Sequence, residues 1–280
     1  MKTGLVLEGG GMRGLYTAGI LDVFMEEELT FDGVIGVSAG AIHGCSYISG
    51  QKERSIRYYK EYCRDPRFMS FRNLLTTGSF VGNDFCYREL PDTLDPYDYE
   101  AFRQSPTQFY MVCSNLETGE PEYIHVTDMK EEMPYMCASA SLPYFSRPVE
   151  FEGKKLLDGG CTDSIPLAAF RRMGYEKNVV ILTRPAGYMK KEEGRLLQEL
   201  FYHRYPQFVQ ALRTRHLRYN RTVRTIEELA RQGKIFVIRP AETLDIGRLE
   251  RDPAAIERVY ETGVREARAV LEELREWVEG

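Results

Sequence analysis

In the run Val34-Ile35-Gly36-Val37-Ser38-Ala39-Gly40, a serine stands where an apolar stretch ends and a series of small residues begins. Gly36, Ser38 and Gly40 make a G-x-S-x-G pentapeptide, and the order strand, turn, helix gives it a chemical meaning. A serine hydroxyl is a weak nucleophile at neutral pH and needs both exposure and a base. A sharp turn would expose it, and the N-terminus of the following helix would aim amide groups and positive partial charge at the same point. Ser38 is therefore a candidate nucleophile for acyl transfer. The pentapeptide alone also occurs by chance, so the rest of the chain must supply an oxyanion site and a base.

The oxyanion site is suggested by Gly9-Gly10-Gly11-Met12-Arg13-Gly14, directly after the apolar run Leu5-Val6-Leu7. These residues also match G-x-G-x-x-G, the dinucleotide fingerprint, which expects an acidic residue about 20 positions later at the end of the second strand. Asp32 lies near that distance, but it precedes the second apolar run, which ends in Gly36-Val37-Ser38. Bare glycine amides serve equally well to approach a developing negative charge. If the two strands are neighbours, the glycine loop and the serine turn lie side by side.

A base is offered by Asp158-Gly159-Gly160, which follows Lys154-Lys155-Leu156-Leu157. Asp-Gly is a common turn signal, so Asp158 has a plain structural reading as a hairpin residue. Its functional reading is a carboxylate at a strand end that takes the Ser38 proton. A Ser-Asp-His triad with His203 or His216 is a competing arrangement. His125, within an apparent strand, reads as structural.

The elements that must hold these residues form an α/β pattern. Apolar runs predict strands at 5–7, 34–35, 108–113, 123–126, 178–183 and 234–238, with a hairpin joining 108–113 to 123–126. Residues 53–64 read as a solvated surface helix, and 65–107 as an irregular excursion that covers part of the site. From 200 to 226 there are six arginines (204, 213, 215, 218, 221, 224) and no acid, giving +6 here and -11 elsewhere from a total of -5. Apolar or ring-bearing residues at 209, 212, 216, 219, 223, 226 and 230 predict an amphipathic helix with His216 on its inner side. Its basic face reads either as solvated or as a surface for anionic lipid. Asp252-Pro253 predicts a capped helix start, with Ile256, Val259, Gly263, Ala267, Val270, Leu274 and Trp277 facing inward.

Composition narrows the function classes. A net charge of -5 gives no general attraction to nucleic acid, and the six cysteines have no metal-type spacing. No cofactor and no metal are expected. The cysteines read as reduced, mostly buried thiols, and no apolar stretch reaches transmembrane length. The expectation is a single domain over 1–280 in the cytoplasm, at most peripheral to a membrane through the basic helix.

Together, Gly9-Gly10-Gly11-Met12-Arg13-Gly14, Gly36-Val37-Ser38-Ala39-Gly40, Asp158-Gly159-Gly160 and Cys137-Ala138-Ser139-Ala140-Ser141-Leu142-Pro143-Tyr144-Phe145 resemble the patatin-like phospholipase family. The resemblance is strong over about 3–185, the expected catalytic core. Residues 186–280, the last strand and helices, carry weaker motifs. It implies a three-layer α/β/α fold around a mostly parallel sheet, with Ser38 as nucleophile and Asp158 as base. It further implies an oxyanion loop of Gly9, Gly10, Gly11, Arg13 and Gly14, assisted by Ala39, with Gly36, Gly40, Gly159 and Gly160 supporting the turns. The implied reaction is hydrolysis of a lipid acyl ester through an acyl-enzyme. A catalytically weak lipid- or membrane-binding protein on the same fold is the alternative from another class.

Overall fold

The computed structural model describes all 280 residues. The chain opens with β1 (Lys2–Leu7), α1 (Gly14–Glu26), β2 (Gly33–Val37) and α2 (Ala39–Ile48). Next come α3 (Arg54–Tyr62), α4 (Phe71–Thr77), a π-helical segment (Phe85–Leu94) and α5 (Tyr99–Gln104). The middle holds β3 (Gln108–Asn115), β4 (Pro121–Val126), α6 (Met133–Ser139), β5 (Val149–Phe151), β6 (Lys154–Asp158), α7 (Leu167–Arg172) and β7 (Tyr175–Ile181). It ends with α8 (Arg195–Tyr202), α9 (Pro206–Arg231), β8 (Ile235–Ile238), α10 (Pro253–Ala269) and α11 (Leu271–Glu279).

All eight strands form one sheet, and five of them, β8-β7-β1-β2-β3, run parallel. The parallel strands are buried on both faces, so their side chains divide between two apolar layers. Leu5, Leu7, Val34, Val179 and Ile181 face the layer containing α1, α2 and α10. Val6, Ile35, Val37 and Val180 face the opposite layer, closed by α7 and α9 through Phe170, Tyr219, Val223 and Ile226. The result is the expected α/β/α sandwich with a mostly parallel sheet. At the crossing of α1 and α10, Gly19 meets the Tyr260 carbonyl and Gly263 meets that of Tyr16, leaving no room for a Cβ on either helix.

The antiparallel strands carry the detail that matters for function. Phe109 to Ser114 pair with β4 on one side of β3, the predicted hairpin. On its other side β3 pairs first with β2, up to Val37 opposite Val112, and then with β6, where Asp158 lies opposite Cys113. The carboxyl ends of β2 and β6 therefore meet head to head along one edge of β3.

Two helices depart from their sequence reading. α3 is not simply solvated: Arg54, Ser55, Ile56, Tyr58 and Tyr59 are buried. Arg54 is only 5% exposed, pairs with Asp95 at 3.4 Å and lies over the rings of Tyr58 and Tyr97. A polar pattern concealed an inward face because its charge is neutralised inside. The inward residues at 256–277 do lie along one side, but the helix breaks at Val270, giving α10 and α11. The Asp252 side chain caps α10 by accepting from the Ala254 N–H at 3.3 Å. No helix is long and apolar enough to cross a membrane.

Candidate active site

Ser38 follows β2 with φ 54° and ψ -121°, a conformation that costs a non-glycine residue of order 1–3 kcal/mol and persists only where its surroundings enforce it. They do so here through two close approaches. A Cβ at Gly36 would stand 2.6 Å from Ala41 Cα, and one at Gly40 2.6 Å from the Leu7 carbonyl oxygen. α2 can thus fold back against both β1 and β2, which sharpens the turn. The Ser38 N–H donates to Ser139 Oγ at 3.0 Å, and Ser139 Oγ–H donates to the Val112 carbonyl at 2.8 Å. Ser139, fully buried at the end of α6, so ties the serine turn to β3. Ser139→Ala leaves a buried N–H and a buried carbonyl without their partner. Its expected effects are a stability loss of about 1–3 kcal/mol in denaturant melts and a lowered kcat, as the elbow loses its register.

The glycine loop lies next to this turn because β1 and β2 are parallel neighbours. Gly9 is packed against Val37 and Ser38, Gly10 against Thr183, and Gly14, the first residue of α1, against Ala39 and His43. Gly9 N–H donates to the Ser164 carbonyl at 3.4 Å. The amides of Gly10, Gly11 and Ala39 have no acceptor within the protein, and free donors of this kind beside a serine would suit a developing oxyanion. Asp32 is at the opposite end of β2, accepting from Thr3 N–H at 2.6 Å and Thr3 Oγ at 3.0 Å, and so has no part in the loop. The dinucleotide reading loses its acid.

Asp158, 4% exposed, faces Ser38 across the junction of β2 and β6. Its Oδ1 accepts from Gly160 N–H at 2.7 Å and caps the single helical turn Gly159–Cys161, so Asp158 stands at a strand end and not in a hairpin turn. Gly159 is packed on the Val112 carbonyl. Burial pushes the Asp158 carboxyl above its ordinary pKa; the Ser38 hydroxyl, Arg215, the Gly160 amide and Arg248 partly offset this. Arg215 holds the turn from α9, its Nε donating to the Gly160 carbonyl at 2.5 Å and Nη1 meeting Glu193 at 3.0 Å. Arg218 donates to the carbonyls of Cys161 and Thr162 at 3.0 and 3.1 Å. Two arginines of the basic helix therefore turn inward and grip the loop after β6.

No histidine lines either cavity at Ser38. His203 is exposed after α8, His216 lies half-buried in α9, and His125 stacks on Tyr110. His43, in α2, is buried with its pKa lowered to about 3 by desolvation and its Nδ1 bonded to Ser55 Oγ at 2.9 Å. The triad reading has no base. No group of histidine, cysteine and carboxylate side chains is arranged to hold a metal ion, and all six cysteines are free.

Two cavities meet at Ser38. The first has a volume of about 110 Å³ and nineteen of its twenty-four lining residues are hydrophobic. Its far walls come from the 65–107 excursion, including Phe68, Met69, Tyr87 and Leu90, which therefore does cover part of the site. The second is polar and contains Gly10, Arg13 and Asp158. Gly11, Ser38, Leu142 and Arg248 line both.

With this geometry, the sequence matches have a structural meaning. The patatin-like phospholipase profile matches residues 5–171, which contain the glycine loop, Ser38 and Asp158. The chain belongs to the patatin-like phospholipase family. A second profile, described only as a domain of unknown function, matches 205–279. Among relatives, the uncharacterized protein YjjU of Escherichia coli is 31% identical over 66% of this chain and 53% of its own length. Lysophospholipase NTE1 of Saccharomyces cerevisiae is 29% identical over 61% of this chain and 10% of its own. The chain thus spans about half of one relative and a tenth of the other. VipD of Legionella pneumophila aligns with 97% of this chain and 67% of its own, at 13% identity and a TM-score of 0.48.

Proposed function

We propose that this protein hydrolyses lipid acyl esters through a Ser38–Asp158 dyad. The observation that carries the reading is the position of Ser38 at the boundary between an apolar cleft and a polar cavity. An acyl ester of an amphiphile has its reactive carbonyl at the same kind of boundary. In the first step Ser38 Oγ attacks the carbonyl carbon while its proton passes to Asp158. The oxyanion is held by the amides of Gly10 and Gly11, with Ala39 assisting. Collapse expels the alcohol, which takes the proton from Asp158, and leaves the acyl group on Ser38. Asp158 then deprotonates water, which attacks the acyl carbon; collapse breaks the bond to Ser38 Oγ, which takes the proton back from Asp158 as the fatty acid leaves. Because Asp158 is buried and has a raised pKa, it accepts a proton more readily than a solvated aspartate does. The test is release of fatty acid from a mixed-lipid panel, with Ser38→Ala as the control; a wild-type protein that frees no fatty acid from any lipid sinks the proposal.

Contact with a lipid surface belongs to the same proposal. Leu196, Leu197, Leu200 and Phe201 of α8 are all exposed, Leu196 at 87%. They precede the helix on which Arg221 and Arg224 point to solvent, with exposed Arg204 between the two. Apolar side chains with flanking cations suit an anionic interface. Leu200→Glu with Phe201→Glu is expected to abolish co-sedimentation with phosphatidylglycerol vesicles and to leave hydrolysis of a water-soluble short-chain ester near the wild-type rate. Undiminished sedimentation would remove α8 from the contact.

A further inference from the structure

The polar cavity beside Ser38 has an unusual charge balance. Arg13 of the glycine loop, Arg184 and Lys190 of the loop after β7, Arg215 of α9 and Arg248 before α10 all line it. Two carboxylates oppose these five cations, Asp158 and Glu8. Glu8 is already engaged, accepting from Thr183 N–H at 2.5 Å, Thr183 Oγ at 3.1 Å and the Tyr219 hydroxyl at 2.7 Å. Of the cations only Arg215 has a salt bridge, to Glu193. Arg13, Arg184, Lys190 and Arg248 have none, and Arg13 Nε is buried without any hydrogen-bond partner. Aromatic faces hold two of them in place: Arg184 lies 4.4 Å from the Tyr188 ring centre and Lys190 4.5 Å from that of Tyr219.

Such a cluster is held against its own repulsion. Burial and the neighbouring Arg184 and Arg248 pull Arg13 down to about 10. Lys190 is pulled to about 7 by burial and by Arg215 and Arg248. Holding five cations in one partly desolvated cavity against two carboxylates is costly, and the cost is relieved when an anion enters. The anion would arrive next to the nucleophile, where the apolar cleft begins.

We propose that this cavity is the subsite for the phosphate of the substrate's head group, so that the preferred substrate is a net-anionic acyl glycerophosphate. Its acyl chain occupies the apolar cleft, its ester carbonyl lies at Ser38, and its phosphate meets Arg13, Arg184, Lys190 and Arg248. A neutral glyceride offers these cations nothing, and a choline head brings a quaternary ammonium toward them. This assignment rests on the hydrolase reading above, and the experiment separates the two.

kcat/KM is measured on lysophosphatidate and on monoacylglycerol carrying the same acyl chain. The expected preference for lysophosphatidate is about 10²-fold, the worth of one or two charge-assisted hydrogen bonds. Lys190→Met and, separately, Arg184→Gln should each cut that preference about tenfold, chiefly through KM. Equal rates on the two lipids, or equal losses on both in the variants, would overturn the subsite while leaving the hydrolase intact. A second arm needs no turnover: calorimetric titration of Ser38→Ala with a sub-micellar short-chain lysophosphatidate, the matching monoacylglycerol and inorganic phosphate. Tight binding of lysophosphatidate alone, weakened by adding Lys190→Met, supports the subsite even if the wild type cleaves no ester. Inorganic phosphate bound as tightly as the lipid overturns the head-group assignment in favour of a free-phosphate site.

Discussion

Ser38→Ala is expected to lower kcat by about 10⁴-fold or more, and a fluorophosphonate probe should label the wild type at Ser38 and fail to label the variant. The size follows from the arrangement around the residue. The Gly10, Gly11 and Ala39 amides are free before any substrate arrives, so their stabilisation of an oxyanion requires covalent attack to create one. Without Oγ there is no alkoxide, and only water activated by Asp158 remains as a nucleophile. Folding should be largely unaffected. The strained backbone at φ 54° is imposed by the packing of Gly36 and Gly40, and the Ser38 N–H bond to Ser139 does not involve the hydroxyl that is removed. Full activity in Ser38→Ala, or labelling at another residue, would remove the nucleophile assignment.

The reasons this serine was legible in the sequence, and other parts of the site were not, are physical. A strand-turn-helix elbow is local: the apolar run, the two glycines and the small residues after them lie within ten positions. The glycine loop was legible in the same way, but two chemistries share its pattern. The position of Asp32 at the far end of β2 removes the acid that one of them needs. Asp158 was ambiguous because its turn and its chemistry use the same atoms, with Oδ1 bonded to Gly160 while the carboxylate faces Ser38. The cation-lined cavity was invisible, since Arg13, Arg184, Lys190, Arg215 and Arg248 come together only when the loops after β1 and β7 converge on α9 and the loop before α10. Within α9 the pattern showed an amphipathic helix but not that Arg215 and Arg218 would turn inward to bind loop carbonyls. Periodicity counts an arginine as solvated, and a buried one whose charge is neutralised by a carboxylate breaks that count, as Arg54 does beside Asp95 in α3.

Asp158→Asn should lower kcat by about 10³–10⁴-fold while the protein stays at least as stable at neutral pH. Asparagine keeps an Oδ1 to accept from Gly160 but cannot take the Ser38 proton. The stability expectation follows from linkage. The folded-state pKa of Asp158 lies above its unfolded value, because burial outweighs the Ser38, Arg215 and Gly160 contributions. The folded protein therefore holds this proton more tightly, and the carboxyl begins to cost stability as pH rises past the unfolded value of about 3.9. That cost grows until pH exceeds the folded value, and the neutral amide removes whatever part of it is present at pH 7. The same shift sets the activity profile. Hydrolysis needs the carboxylate, so kcat/KM should fall on the acid side with a midpoint above 3.9, the reference for an unperturbed aspartate. Arg215 acts here as a positioning residue whose charge lowers the Asp158 pKa. Arg215→Met should move the acid limb to higher pH, and Arg215→Lys should move it part of the way back. A limb that stays in place in Arg215→Met would show that the titrating base is a group other than Asp158.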